Sequence, residues 1–126
     1  MVVLDTDILI DYIRRPKVDG SYLVKLIKSE LPHNLAISII TIQELYVGQS
    51  SKIAQKEQFF LTIIDSLKIL PYEYKVAKCA GKIMRDSKYK TGFTDAAIAA
   101  TTIVNNAQLA TLNKKDFQGI PDLEFV

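Results

Sequence analysis

Five acids stand where a carboxylate can do chemistry. Asp5 and Asp7 follow directly on the apolar run Val2-Val3-Leu4, and Glu44 comes shortly after the apolar Leu35 to Ile39. Asp95 opens an Ala-rich stretch, and Asp116 follows the apolar Leu109 to Leu112. Carboxylates gathered on one rim repel one another and raise each other's pKa values unless a cation joins them. The cation suited to an all-oxygen set is Mg²⁺ or Mn²⁺, which keeps positions open for water and a substrate phosphate. Such a site activates water and clamps a phosphate during in-line displacement. Other chemistries find less support. The chain has one His, His33, and one Cys, Cys79, so it forms no Cys/His zinc cluster and no internal disulfide. No convincing Ser-His-Asp set can be built around His33, and neither a Walker loop nor an H-E-x-x-H motif is present.

The elements that must position these acids alternate in type. Val2 to Leu4 reads as a buried strand, followed by a helix carrying Ile8, Leu9, Tyr12 and Ile13 that Pro16 stops. A second helix fits Tyr22 to Leu31 with Ser21 as its cap, and Leu35 to Ile39 is a second strand. Thr41-Ile42-Gln43-Glu44 has the capping-box pattern and opens a third helix, interrupted at Gly48 or Ser50-Ser51. Ile53, Phe60, Ile63, Ile64 and Leu67 mark a fourth helix, and Lys68 to Leu70 a third strand closed by Pro71. Val76, Ala80, Ile83 and Met84 form the apolar face of a helix over Glu73 to Met84. After a break at Gly92-Phe93-Thr94 comes a helix over Asp95 to Val104. Leu109 to Leu112 is a fourth strand, Asn113 to Gly119 a turn, and Leu123 to Val126 a last strand. Strands alternating with helices imply right-handed crossovers and a mostly parallel sheet covered on both faces, a three-layer α/β/α sandwich in one domain over residues 1–126. Ligands of such sheets sit outside the carboxyl ends of the strands, where most of these acids fall. Asp95, at a helix start, joins them only if its helix runs antiparallel to the strands, which the two helices before the fourth strand permit without requiring.

Each acid alone has a structural explanation. Asp5 and Asp7 can cap the first helix, Glu44 completes a capping box, Asp95 complements a helix dipole, and Asp116 caps a turn toward Gly119. His33 beside Pro32 reads as a loop residue and Cys79 as a small buried hydrophobe. Together the five are poorly explained by local structure.

Four short motifs carry a resemblance over essentially the whole chain: Val3-Leu4-Asp5-Thr6-Asp7, Glu44-Leu45-Tyr46-Val47-Gly48, Gly92-Phe93-Thr94-Asp95-Ala96-Ala97, and Ala110-Thr111-Leu112-Asn113-Lys114-Lys115-Asp116-Phe117. In order and at this spacing, the chain resembles a PIN-domain ribonuclease of the VapC toxin type. The resemblance implies a Mg²⁺- or Mn²⁺-dependent endoribonuclease with Asp5 and Asp95 as principal metal ligands and Glu44 as the third acid. Many members have Asp where this chain has Asn113; others have Asn there and an acid three residues on. Asp116 therefore carries over as the fourth acid, with Asn113 as a polar supporter. Asp7 stands where relatives often have Asn or Ser, and Thr6 and Thr111 become supporting hydroxyls. The resemblance also implies a homodimer and a cognate antitoxin that blocks the site.

Between Lys68 and Lys90 seven basic residues oppose only Glu73 and Asp86, although the whole chain of 126 residues has a net charge of just +2. Lys82 and Arg85 share a helical face with Lys75 and Lys78, while Lys88 and Lys90 lie in the loop leading to Asp95. These suit an RNA backbone, and equally a solvated helix face. Two other α/β domains share a strand ending in acid. A haloacid-dehalogenase phosphatase wants Thr or Val where this chain has Leu9, and needs a longer chain. A receiver domain needs Asp after the third strand, where Pro71 stands. A PIN-like module that binds without cutting would leave the acids unexplained. With 48% hydrophobic and 24% charged residues the chain reads as a soluble globular domain. Its longest apolar stretch, about Leu35 to Thr41, is far below the roughly 20 residues that span a bilayer. The start MVVLDTDILI has an acid and no basic lead, so no secretory signal is expected and a reducing, cytoplasmic setting is.

Overall fold

A computed structural model describes residues 1–15, 21–30 and 32–126. Pro16 and Leu31, expected to end the first and second helices, lie outside the described residues. Five strands, β1 (Val2–Leu4), β2 (Leu35–Ser38), β3 (Lys68–Leu70), β4 (Gln108–Ala110) and β5 (Glu124–Phe125), form one sheet in the order β3-β2-β1-β4-β5. Every neighbouring pair is parallel, with Leu4 opposite both Ile37 and Ala110. Among the described residues six α-helices connect them: α1 (Thr6–Arg14), α2 (Tyr22–Ser29), α3 (Ile39–Val47), α4 (Ala54–Asp65), α5 (Tyr74–Asp86) and α6 (Phe93–Val104).

The period-two alternation of a strand divides the core between the two faces. Val3, Ala36 and Leu109 face α5 and α6, where Val76, Ala80, Ile83, Ala96 and Ala100 pack against them. Val2, Leu4, Leu35, Ile37 and Ala110 face the other way, onto Ile8, Leu9, Leu23, Leu26, Leu45, Phe60 and Ile64 from α1 to α4. The three-layer sandwich expected from the alternation of elements is the architecture found. Ala96, Ala97, Ala99 and Ala100 are wholly buried, so the small side chains of α6 let that helix lie close on the sheet. Phe60 is the bulkiest buried side chain on the opposite face, and removing it from water contributes roughly 2–3 kcal/mol.

Several boundaries differ from expectation. The second strand ends at Ser38, whose hydroxyl caps α3 by accepting the Ile40 N–H at 3.1 Å, so α3 already begins at Ile39. Thr41 is therefore inside the helix and does not cap it, and Glu44 lies in the second turn. Gly92 rather than Thr94 precedes α6, which includes Phe93 and Thr94. Met84 is 45% exposed, because the buried stripe of α5 runs only through Val76, Ala80 and Ile83. β4 stops at Ala110, which leaves Thr111 and Leu112 just beyond the strand, at the sheet's carboxyl edge.

Candidate active site

A parallel ladder delivers its carboxyl ends to one edge. Because Leu4 is level with Ala110 and Ile37, Asp5 and Thr111 leave the sheet side by side, next to Ser38, the last residue of β2. The Asp5 N–H donates to the Ala110 carbonyl at 2.9 Å, extending the pairing by one residue past β1. Asp5 then turns the chain into α1 as its N-cap, accepting the Thr6 N–H on Oδ1 at 2.8 Å. Its other oxygen accepts the Thr111 hydroxyl at 2.8 Å. Asp5 is only 7% exposed, so both oxygens are held inside the edge of the fold.

Asp7 sits in the first turn of α1 and is tied to the same loop. The Thr111 hydroxyl lies 3.2 Å from Asp7 Oδ2, and the Leu112 N–H reaches that oxygen at 3.2 Å. Thr111 Oγ1 in turn accepts the Asn113 N–H at 3.0 Å. One threonine thus fixes two carboxylates and the exit of β4.

Glu44 arrives from α3. Three residues apart, Thr41 and Glu44 share one face of that helix. The Thr6 hydroxyl donates to Glu44 Oε1 at 2.6 Å, a short charge-assisted bond, and is hydrogen-bonded to the fully buried Thr41 hydroxyl at 3.0 Å. Glu44 serves the neighbouring helix, not its own N-terminus, so the capping-box pattern is coincidental here. Thr41 belongs to the site although its sequence pattern assigns it to capping; its three-residue spacing from Glu44 is the signal that could have placed it. Ser38 is another such residue, fully buried at the end of β2 with its oxygen 3.4 Å from the Thr101 hydroxyl.

Asp95 stands in the first turn of α6 and is half-buried. That helix runs back antiparallel to the strands, which meets the condition for Asp95 to join the rim. Asp116 lies in a 3-10 turn (Lys114–Phe117) after β4, where the Asn113 side-chain amide donates to its Oδ2 at 2.8 Å. Asp116 is exposed, and Asn113 acts by orienting it.

Electrostatics ties the acids into one group. Burial pushes Asp5 up to about 7; the Asp7 charge adds to the rise, the Thr111 hydroxyl opposes it, Asp95 adds again, and the Thr6 N–H opposes it. Burial pushes Asp95 up to about 6, with Asp116, Glu44 and Asp7 each adding repulsion. Asp7 is also raised by burial, against the hydrogen bonds from Leu112 and Thr111. Asp5 and Asp95 thus each feel carboxylates contributed by separate segments of chain. As they stand, no three His, Cys, Asp or Glu side chains among the described residues are drawn together tightly enough to hold an ion. The donor set itself is all carboxylate oxygen, which fits a hard divalent cation better than a soft one.

Beside Glu44 a cleft of about 260 Å³ is lined by Ile40, Gln43, Val47, Phe93 and Thr94. Of the basic residues, Lys82 lines a different groove along α5, and Arg85 is held by both oxygens of Asp86 at 2.7 Å. Lys88 stands over the Tyr89 ring at 5.7 Å, and Lys90 is exposed in the loop before Gly92.

The sequence pattern of the PIN domain family matches residues 2–123. Ribonuclease VapC10 of Mycobacterium tuberculosis is 33% identical over 116 residues, covering 90% of this chain and 83% of that protein. The chain belongs to the PIN-domain family of VapC ribonucleases. Among solved structures, VapBC2 from Rickettsia felis, bound to a DNA fragment from its promoter, superposes with a TM-score of 0.82. That similarity covers 100% of this chain and 98% of that one at 29% identity. A toxin–antitoxin complex from Klebsiella pneumoniae superposes with a TM-score of 0.75 at 31% identity, covering 98% of this chain and 95% of that one. Membership of this ribonuclease family implies use of a divalent metal. The family match over nearly the whole chain sets aside the haloacid-dehalogenase reading, and β3 ending at Leu70, before Pro71, sets aside the receiver. Among the described residues no helix is long and apolar enough to cross a membrane.

Proposed function

We propose that this VapC-family protein is a Mg²⁺- or Mn²⁺-dependent endoribonuclease that hydrolyses RNA phosphodiester bonds as the toxin of a type II toxin–antitoxin pair. The observation that carries the proposal is that acids from four segments, Asp5, Glu44, Asp95 and Asp116, share one neighbourhood: Asp5 is pushed up by burial, Asp7 and Asp95, and Asp95 by burial, Asp116, Glu44 and Asp7. In this reading Asp5 and Asp95 are the principal ligands, and Glu44 and Asp116 complete the charge balance. A bound Mg²⁺ or Mn²⁺ would neutralise these carboxylates, activate a water and polarise the scissile phosphate. The chain's own groups do the positioning. Thr111 holds Asp5 and Asp7 in place, Thr6 aims Glu44, and Asn113 aims Asp116. Glu44, next to the cleft, orients the attacking water. Phe93, 62% exposed on the cleft wall, offers a nucleobase an apolar surface. Lys88 and Lys90, on the approach to Asp95, neutralise flanking phosphates.

The Klebsiella pneumoniae relative is a toxin–antitoxin complex, and the same arrangement is proposed here: a cognate antitoxin covers the site, on a homodimer, in the cytoplasm. The test is cleavage of a mixed pool of tRNA and other structured RNA with Mg²⁺ or Mn²⁺. Metal-dependent cutting that is lost in EDTA and in both Asp5→Asn and Asp95→Asn supports the mechanism. Cutting by either variant at the wild-type rate sinks it. No cutting with no metal binding leaves a silent binding module in its place, whereas no cutting with intact metal binding points to a narrower substrate or to phosphomonoester chemistry.

A further inference from the structure

A groove of about 410 Å³ runs along α5 and shares no residue with the acid edge. One wall is basic: Lys75, Lys78 and Lys82 project from successive turns of the helix. Its floor is apolar, formed by Cys79 and Ile83 of α5 and Ile103 of α6, and Pro121-Asp122 closes the far side. Ile103 is eight residues from Asp95, so about 12 Å of helix separates the groove from the acids. At the end of α5, Ser87 lines the same groove. Its hydroxyl oxygen is the one buried side-chain polar atom among the described residues that has no hydrogen-bond partner. Buried hydroxyls are ordinarily satisfied, so this one marks a place where a partner belongs.

The charges in the groove are unequal. Asp86 also lines it, but Arg85 occupies both of its carboxylate oxygens at 2.7 Å. That leaves Asp122 against three lysines. Lys82 and Asp122 both line the groove near the Cys79 thiol, on which they act in opposite senses. A cation is disfavoured by the lysines, and a bare inorganic anion would leave the floor and most of the volume unused.

We propose that this groove binds a ribonucleotide phosphate. The phosphate lies along Lys75, Lys78 and Lys82, the base covers Ile83 and Ile103, Asp122 accepts from ribose hydroxyls, and Ser87 rotates its buried hydroxyl toward the groove to donate to the ligand. The ligand is either a free nucleotide or a nucleotide within a longer RNA, since both present the same groups.

The experiment is an NMR titration of the full chain in EDTA with AMP, with adenosine and inorganic phosphate as controls. Working without divalent metal keeps the outcome independent of whether the acid edge cleaves RNA. AMP is expected to shift the resonances of Cys79, Ser87 and Ile103 and to leave Thr6 and Thr111 unmoved, with both controls binding at least about fivefold more weakly. Lys78→Ala/Lys82→Ala, both exposed on α5, should weaken AMP about tenfold, and Ser87→Ala about threefold. A short oligoribonucleotide that displaces AMP from these residues assigns the groove to RNA; failure to displace assigns it to free nucleotide. Shifts confined to the acid edge, no shifts at millimolar AMP, or affinity unchanged in both variants would overturn the proposal.

Discussion

Replacing Asp5 by Asn should make the metal-free protein more stable while removing its activity. The fold raises this carboxyl from 3.8 to about 7. For an acid that direction means the folded state prefers the protonated form, so its contribution to stability is full below about pH 4 and is lost as pH rises through about 7. Roughly three units at 1.36 kcal/mol each give a ceiling of about 4 kcal/mol lost by pH 8. Asn keeps the shape and can still accept the Thr6 N–H, but gives up the charge-assisted bond from the Thr111 hydroxyl, which takes back about 1–2 kcal/mol. The net gain is about 2 kcal/mol at pH 8, or about 8 °C in Tm for a chain of this length. Thermal and urea unfolding in EDTA from pH 4 to 8 reads it directly. The stability of the wild type should fall across that range more steeply than that of Asp5→Asn, and added Mg²⁺ should close the gap by stabilising the wild type alone. Parallel pH profiles, or a variant less stable than wild type at pH 8, would refute the assignment of burial and repulsion as the cause.

Thr6→Val keeps the shape of α1's first residue but strips Glu44 and Thr41 of a partner; it should cost about 1–2 kcal/mol in urea unfolding and lower kcat by about tenfold with KM little changed. Thr111→Val removes the donor shared by Asp5 and Asp7, so the pH at which metal-dependent cleavage appears should move upward, which a pH–rate profile with saturating Mn²⁺ would show. Gly119→Ala places a methyl on a backbone with φ of +79°, and its Cβ would meet the Tyr89 ring at 2.9 Å; a loss of about 1–2 kcal/mol is expected in thermal unfolding.

The layers of the fold are legible in the sequence because strand and helix periods alternate cleanly, and β1 and β3 fall where their apolar runs do. The departures share a cause: a local pattern suggests a local interaction where the real partner is remote. Ile39 is as apolar as the strand before it, yet Ser38 ends the strand by capping α3. Thr41 and Glu44 match a capping box, but their partner is Thr6, which is distant in sequence and so invisible to a windowed pattern. Met84 belongs to the helical stripe by spacing yet stays outside the buried stripe of Val76, Ala80 and Ile83. The gathering of the acids at one edge is readable from the rule that ligands collect at strand ends. How the threonines bind them is not, since Thr111 and Asp5 meet across 106 positions.

That separation governs when, during synthesis, the acid edge becomes complete. β1 is the centre of the sheet, and its two neighbours are synthesised far apart in time: β2 soon after it, β4 only near the end. A ribosome that has passed β3 has already made Asp5, Asp7 and Glu44, but Asp95, Thr111 and Asp116 are still to come. Until β4 slots beside β1, Asp5 lacks the hydroxyl that fixes it and the loop that carries Asp116 does not exist. A nascent chain therefore lacks the complete acid edge over most of its length, and that edge is assembled in a single late step, when β4 docks beside β1.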